Sequence, residues 1–166
     1  VQDFPKPGIK FFDLTPLFMS NLEPLTDALI ASIPAEKLAE VDSFVAVEAR
    51  GFVLASLLAQ RLGKGLVLVR KAGKLPPPVV GVGYSLEYGL DRLEMSAEVP
   101  AQKVIIVDDV LATGGTLKAV KQLAEKCNHH ILGASIFLDL PDLHADLGLT
   151  IWSVLDDKSQ PQQDVA

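Results

Sequence analysis

At 166 residues, with 49% hydrophobic and 22% charged side chains, the chain has the size and composition of one globular domain, which excludes extended disorder outside its last residues. A formal net charge of −6 excludes a general nucleic-acid binder, whose affinity comes from neutralising backbone phosphates, so an anionic ligand has to be held locally. Apolar runs such as VIIV (104–107) are too short to span a bilayer, no basic stretch leads into an apolar one at the start, and Cys127 is the single cysteine, so no membrane contact and a cytoplasmic location are expected.

In chain order, the run DFPKPGIKFFDLTPLF (3–18) comes first, followed by a helical period over 22–32. A strand is predicted at 44–47, then a helix over 51–62 with Val53, Leu54, Leu57, Leu58 and Leu62 on one stripe, then a strand at 66–69. Between 75 and 92 the pattern fails. Pro76, Pro77 and Pro78, with Gly81, Gly83 and Gly89 and Gly73 just upstream, argue against a continuous regular element and predict either a functional lid or a disordered linker. A strand at 104–107, a helix over 115–126, a strand at 131–138 and a weaker one at 150–154 complete the pattern, and the polar tail 156–166 is expected to fray. Strands alternating with helices over 1–166 predict one α/β domain, a mainly parallel twisted sheet flanked by helices.

The stretch KVIIVDDVLATGGTLKAV (103–120) joins a buried strand to two carboxylates, a small turn and a helix. Gly114 and Gly115 let backbone approach a ligand, the unsatisfied amides of the helix start point at it, and Thr113 and Thr116 add hydroxyls; a phosphate monoester suits such a cradle. It lacks the Gly-Lys-Ser/Thr ending of a nucleoside-triphosphate loop. Asp108 and Asp109 stand at the carboxyl end of the strand, where open α/β sheets bind ligands. If both address one ligand the chain must be leaving extended geometry there, with ribose hydroxyls and a nearby Mg²⁺ as natural partners. Taken alone, an acidic pair before a glycine turn is equally a capping or turn feature.

Joined in this order, the strand, acidic pair and loop resemble the phosphoribosyl pyrophosphate (PRPP) motif of the type I phosphoribosyltransferases. The resemblance implies that family's fold, with a lid and a small amino-terminal base-recognition segment. It also implies that Asp108 and Asp109 contact the ribose hydroxyls while Ala112, Thr113, Gly114, Gly115 and Thr116 hold the 5′-phosphate. Four further runs are similar to the adenine members of the family. In 3–18, the similarity places Phe11 over the adenine face and the backbone of Lys10 and Phe12 along its edge; relatives commonly carry arginine where Phe12 stands, so any role here belongs to backbone. VEARGFVLASLLAQRLG (47–63) resembles the pyrophosphate loop, implying roles for Ala49, Arg50 and Gly51. VRKAGKLP (69–76) adds Arg70, Lys71 and Lys74, a cluster that would otherwise be a solvated face. YSLEYGLDRLEM (84–95) is similar to the catalytic loop, implying that Glu87 handles a proton at the purine with Tyr88 beside it; without the resemblance both would sit on the exposed faces of a hairpin. Leu140 would cover the second adenine face, or serve as ordinary core.

The activity so implied is formation of AMP and pyrophosphate from adenine and PRPP, with Mg²⁺ held through PRPP and water rather than by direct protein ligands, in a homodimer that binds no nucleic acid. A transferase for another base, a non-catalytic PRPP-binding regulator and a partner-binding module are the alternatives. His129, His130 and His144 show no metal-ligand spacing and read as structural or surface residues.

Overall fold

The computed structural model describes Val1 and residues 12–86 and 89–156. In order come α1 (Thr15–Ser20), α2 (Leu22–Ser32), α3 (Ala35–Glu40), β1 (Ser43–Val47), α4 (Arg50–Leu62), β2 (Gly65–Lys71), β3 (Val79–Leu86), β4 (Gly89–Ser96), β5 (Lys103–Leu111), α5 (Gly115–Lys126), β6 (His130–Asp139), a short 3₁₀ turn (Pro141–Leu143) and β7 (Ile151–Asp156). One seven-stranded sheet has the order β3-β4-β2-β1-β5-β6-β7. The neighbours from β2 to β7 run parallel, and the hairpin β3-β4 joins the edge of β2 antiparallel.

The sequence explains the layering. Every residue of β1, SFVAV, is buried, as a parallel strand covered on both faces requires. Alternate side chains enter two separate cores. Val45, Val47, Val104 and Ile106 meet Leu117, Val120 and Leu123 of α5, while Phe44, Ala46, Ile105 and Val107 meet Leu25 and Leu29 of α2 and Leu54 and Leu58 of α4. No helix among the described residues is long and apolar enough to cross a membrane.

Two expectations are corrected. The buried face of α4 is Gly51, Leu54, Ala55, Leu58 and Ala59, and Val53 is exposed. The helix rolls toward its small residues because its first turn lies close against β5: a Cβ at Gly51 would stand 2.8 Å from the Val107 carbonyl oxygen. The region 75–92 is not irregular throughout, since β3 and β4 pair regularly from Val79 with Ser96 to Leu86 with Gly89. The prolines stop short of the ladder, and the glycine at 81 makes room for the Arg92 guanidinium, which a Cβ there would strike. Val82, Leu93 and Met95 then bury the hairpin's inner face against the α5 side of the sheet.

Candidate active site

Strands β1, β2, β5 and β6 end at Val47, Lys71, Leu111 and Asp139, and the segments that follow gather at one edge of the sheet. After β5 the chain turns through 112–114 into α5. Gly114 has φ +78 and begins the helix, no side chain caps it, and the first-turn amides therefore remain available to a ligand. Ala112, Thr113, Gly114, Gly115 and Thr116 line a cavity of about 100 Å³ together with Asp108 and Ile136. Oriented amides, small residues and hydroxyls around that volume make a cradle suited to a phosphate.

β5 stays extended through Leu111, so the expected departure from strand geometry at the acidic pair does not occur, and the two carboxylates divide. Asp108 lines the cavity, and its Oδ1 accepts from the Asp109 amide at 2.9 Å. Burial first, and the charge of Asp109 second, push its carboxyl well above the usual carboxylate range. Asp109 is buried on the α4 side, where its Oδ2 lies 2.6 Å from Arg50 Nη2. Arg50 Nη1 donates to the Phe12 carbonyl at 2.7 Å. One guanidinium at the start of α4 thus touches both the acidic pair and the amino-terminal segment. Ala49 caps α4 without a side-chain bond, and the peptide joining it to Glu48 is cis.

The cations at the end of β2 are organised by Glu48, to which the sequence alone gives no role. Its Oε2 accepts from the Lys71 amide at 2.9 Å and lies 3.4 Å from Arg70 Nε. The Lys71 amide, and after it Arg70, hold the Glu48 carboxyl below the usual range against the opposing pull of burial. Arg70 also donates to the Lys74 carbonyl at 3.1 Å, which curls 70–74 into a turn at the edge of the site, with the Lys74 side chain exposed. Lys71 Nζ reaches Asp91 of β4 at 3.2 Å. Tyr84 of β3, also missed, donates its hydroxyl to the same Asp91 at 3.5 Å.

Leu140, 8% exposed, shares a core cluster with Phe12, Val110 and Ala112, so the end of β6 and the amino-terminal segment meet through apolar contacts. Lys10, Phe11, Glu87 and Tyr88 lie outside the described residues. No group of three or more His, Cys, Asp or Glu among the described residues could hold a metal ion.

A small-residue loop at the head of α5 that suits a phosphate, an acidic strand end and cations at one end of a mainly parallel sheet are the features expected of a phosphoribosyltransferase. A profile of the phosphoribosyl transferase domain matches residues 20–161. The adenine phosphoribosyltransferase of Mycolicibacterium smegmatis is 47% identical over 148 residues, covering 86% of this chain and 79% of that protein. Among solved structures, the Saccharomyces cerevisiae adenine phosphoribosyltransferase, complexed with an imino-altritol bisphosphate and adenine, superposes with TM-score 0.86 at 35% identity, over 93% of this chain and 92% of that one. The enzyme of Thermoanaerobacter pseudethanolicus gives TM-score 0.83 at 38% identity, over 94% and 93%. The chain belongs to the adenine phosphoribosyltransferase family.

Proposed function

We propose that the chain joins adenine N9 to C1′ of PRPP, releasing pyrophosphate and forming AMP. The observation that carries the reading is the uncapped start of α5, whose cavity is lined by Ala112 to Thr116 and by Asp108 at the carboxyl edge of the sheet. In this reading the 5′-phosphate sits on the amides of 113–116, with the Thr113 and Thr116 hydroxyls beside them. Asp108 takes a ribose hydroxyl from the cavity side, and Asp109, held on the other face by Arg50, joins it only if β5 leaves strand geometry there when PRPP binds. The Asp108 carboxyl, which lines the cavity, can accept from a ribose hydroxyl.

As the C1′–O bond breaks, positive charge develops on the ribose ring and negative charge on the departing pyrophosphate. Arg50, Arg70, Lys71 and Lys74, with the Ala49 and Gly51 amides, answer the second of these at a fixed edge of the sheet, where pre-set charges need little rearrangement. Mg²⁺, when bound, would add positive charge at the diphosphate. In this reading the ion would be carried by PRPP and water, beside the Asp108 carboxyl that lines the cavity. Phe11 and Leu140 sandwich adenine, and the backbone of Lys10 and Phe12 reads its edge, fixing N9 against C1′. Glu87, with Tyr88 beside it, accepts the proton or hydrogen bond that the five-membered ring gives up as N9 forms its new bond. Closure of the hairpin tip over the site would exclude water from the cationic sugar.

We further place the enzyme in the cytoplasm, which suits its one free thiol, Cys127, and we take it to act as a homodimer. The test of the activity is a spectrophotometric panel of purine and pyrimidine bases with PRPP and Mg²⁺. AMP formation from adenine, with little turnover of hypoxanthine, guanine or orotate, is the expected result; preference for another base would reject the reading.

A further inference from the structure

After Leu140 the chain runs through the 3₁₀ turn and then, as residues 144–148, passes behind the phosphate cradle. A Cβ placed on Gly114 would stand 2.8 Å from Leu147 Cδ2 and 3.6 Å from His144 Cβ, so these two residues back the loop directly. The strap is fastened at both ends. At its far end Lys121 Nζ of α5 donates to the carbonyls of Leu147 and Gly148 at 3.2 and 3.1 Å. At its near end the His144 ring is clamped between two acceptors, with Nε2 2.8 Å from Asp139 Oδ1 on β6 and Nδ1 3.1 Å from the Ala145 carbonyl.

A neutral imidazole carries one N–H and one lone pair, so one of these contacts would set acceptor against acceptor; only the imidazolium donates to both. The pair is well shielded, with side-chain exposures of 11% and 14%. Of the surrounding charges, Asp139 acts on the ring directly. Asp142 and Asp146 belong to the ring's own segment, Asp146 Oδ1 accepts from the Gly148 amide, and Asp156 of β7 stands beside Asp139 in the sheet. Lys121 is the cation that α5 brings to the strap, and Gly114 brings no charge.

We propose that protonated His144 is a positioning residue for PRPP: it pins the strap behind Gly114, and its loss of a proton loosens the cradle's hold on the 5′-phosphate. The proposal rests on reading 112–116 as the phosphate cradle. Burial alone would favour the neutral ring, but the Asp139 hydrogen bond, the Ala145 carbonyl and the Asp139 charge together outweigh it, and the His144 pKa rises above its usual 6.5. The sign follows. The pin is fully set below the ordinary histidine value and is lost as pH climbs through the raised one.

The test compares wild type with His144→Gln, whose amide can still donate to Asp139 but cannot titrate. PRPP KM and kcat are measured across the neutral-to-alkaline range and expressed as wild-type-to-variant ratios, which cancels the ionisation of PRPP itself. The KM ratio should rise about five-fold with pH while the kcat ratio at saturating PRPP stays level. In the folded wild type, the His144 ring resonances should titrate above the ordinary histidine value, and Asp139→Asn should bring them down. A KM ratio that stays constant with pH, or a ring titrating at or below the ordinary value, overturns the proposal. Thr113→Val, run alongside, separates the two readings. If it leaves PRPP affinity unchanged, the cradle assignment fails and this inference with it; if it weakens PRPP while the KM ratio stays constant, only the role of His144 is lost.

Discussion

Arg50 holds Asp109 at 2.6 Å with one nitrogen while another nitrogen of the same guanidinium holds the Phe12 carbonyl. A planar fork can serve two acceptors in fixed directions, and a lysine ammonium at the same place cannot reproduce both. Arg50→Lys, which keeps the charge but gives up one directed N–H, should therefore lower kcat/KM for PRPP by roughly 10²-fold, as the loss of one oriented donor usually does. Arg50→Ala should in addition leave the Asp109 carboxylate buried without its cation, costing about 1–3 kcal/mol of stability. Steady-state kinetics and urea melts check the two effects separately.

Gly114 combines a left-handed backbone with a wall of leucine behind it. Gly114→Ala meets both, and should lower stability by about 1–2 kcal/mol from the backbone conformation alone, with further loss from displaced Leu147. PRPP binding, followed by calorimetry, should weaken more than adenine binding. Thr113→Val keeps the backbone and removes one hydroxyl, so its effect should be confined to PRPP and amount to about 1 kcal/mol.

Glu87→Ala isolates the proposed proton handling. At saturating adenine and PRPP, single-turnover AMP formation should fall by roughly 10²-fold or more, with PRPP affinity little changed. An unchanged single-turnover rate would remove Glu87 from the chemistry.

Glu48 staples β1 to β2 through the Lys71 amide and Arg70, and its folded pKa lies below the usual 4.5. A depressed carboxylate contributes stability that is complete above the unfolded value and disappears as pH falls through the folded one. Acid titration of the wild type should show this loss below pH 4.5. Glu48→Gln, which cannot titrate, should be less stable at neutral pH and show a shallower decline in the same acid window, read as denaturant midpoints at each pH.

The parallel centre of the fold is legible in the chain because burial on both faces leaves continuous runs such as SFVAV and VIIV, and the cradle is legible because small residues and hydroxyls follow such a run at once. The hairpin is not. Gly81 and Gly83 count against a strand locally, and the room that Gly81 gives Arg92 of the partner strand exists only after pairing. Glu48 and Tyr84 escape notice for a related reason. The partners that define them, Lys71, Arg70 and Asp91, are brought near by strand pairing, which no local period encodes. The rolled face of α4 likewise depends on how closely Gly51 can approach the Val107 carbonyl, a distance set by packing. His144 shows only a weak trace in sequence, a histidine five residues beyond an aspartate at a strand end, and it takes the folded turn to bring the two together.

If Glu87 has the proposed role, the length of the β3-β4 arm sets how far that residue can reach. Residues 87 and 88 join two strands that pair rung by rung from Val79 with Ser96, and the rungs from Arg92 onward extend past the β2-β4 pairing. Deleting two residues from each strand would keep every remaining side chain on its own face yet shorten the arm by roughly 7 Å. An enzyme so trimmed should fold with its sheet intact and fail at catalysis, which makes the number of rungs a specification of reach, separable from the identity of the residues at the tip.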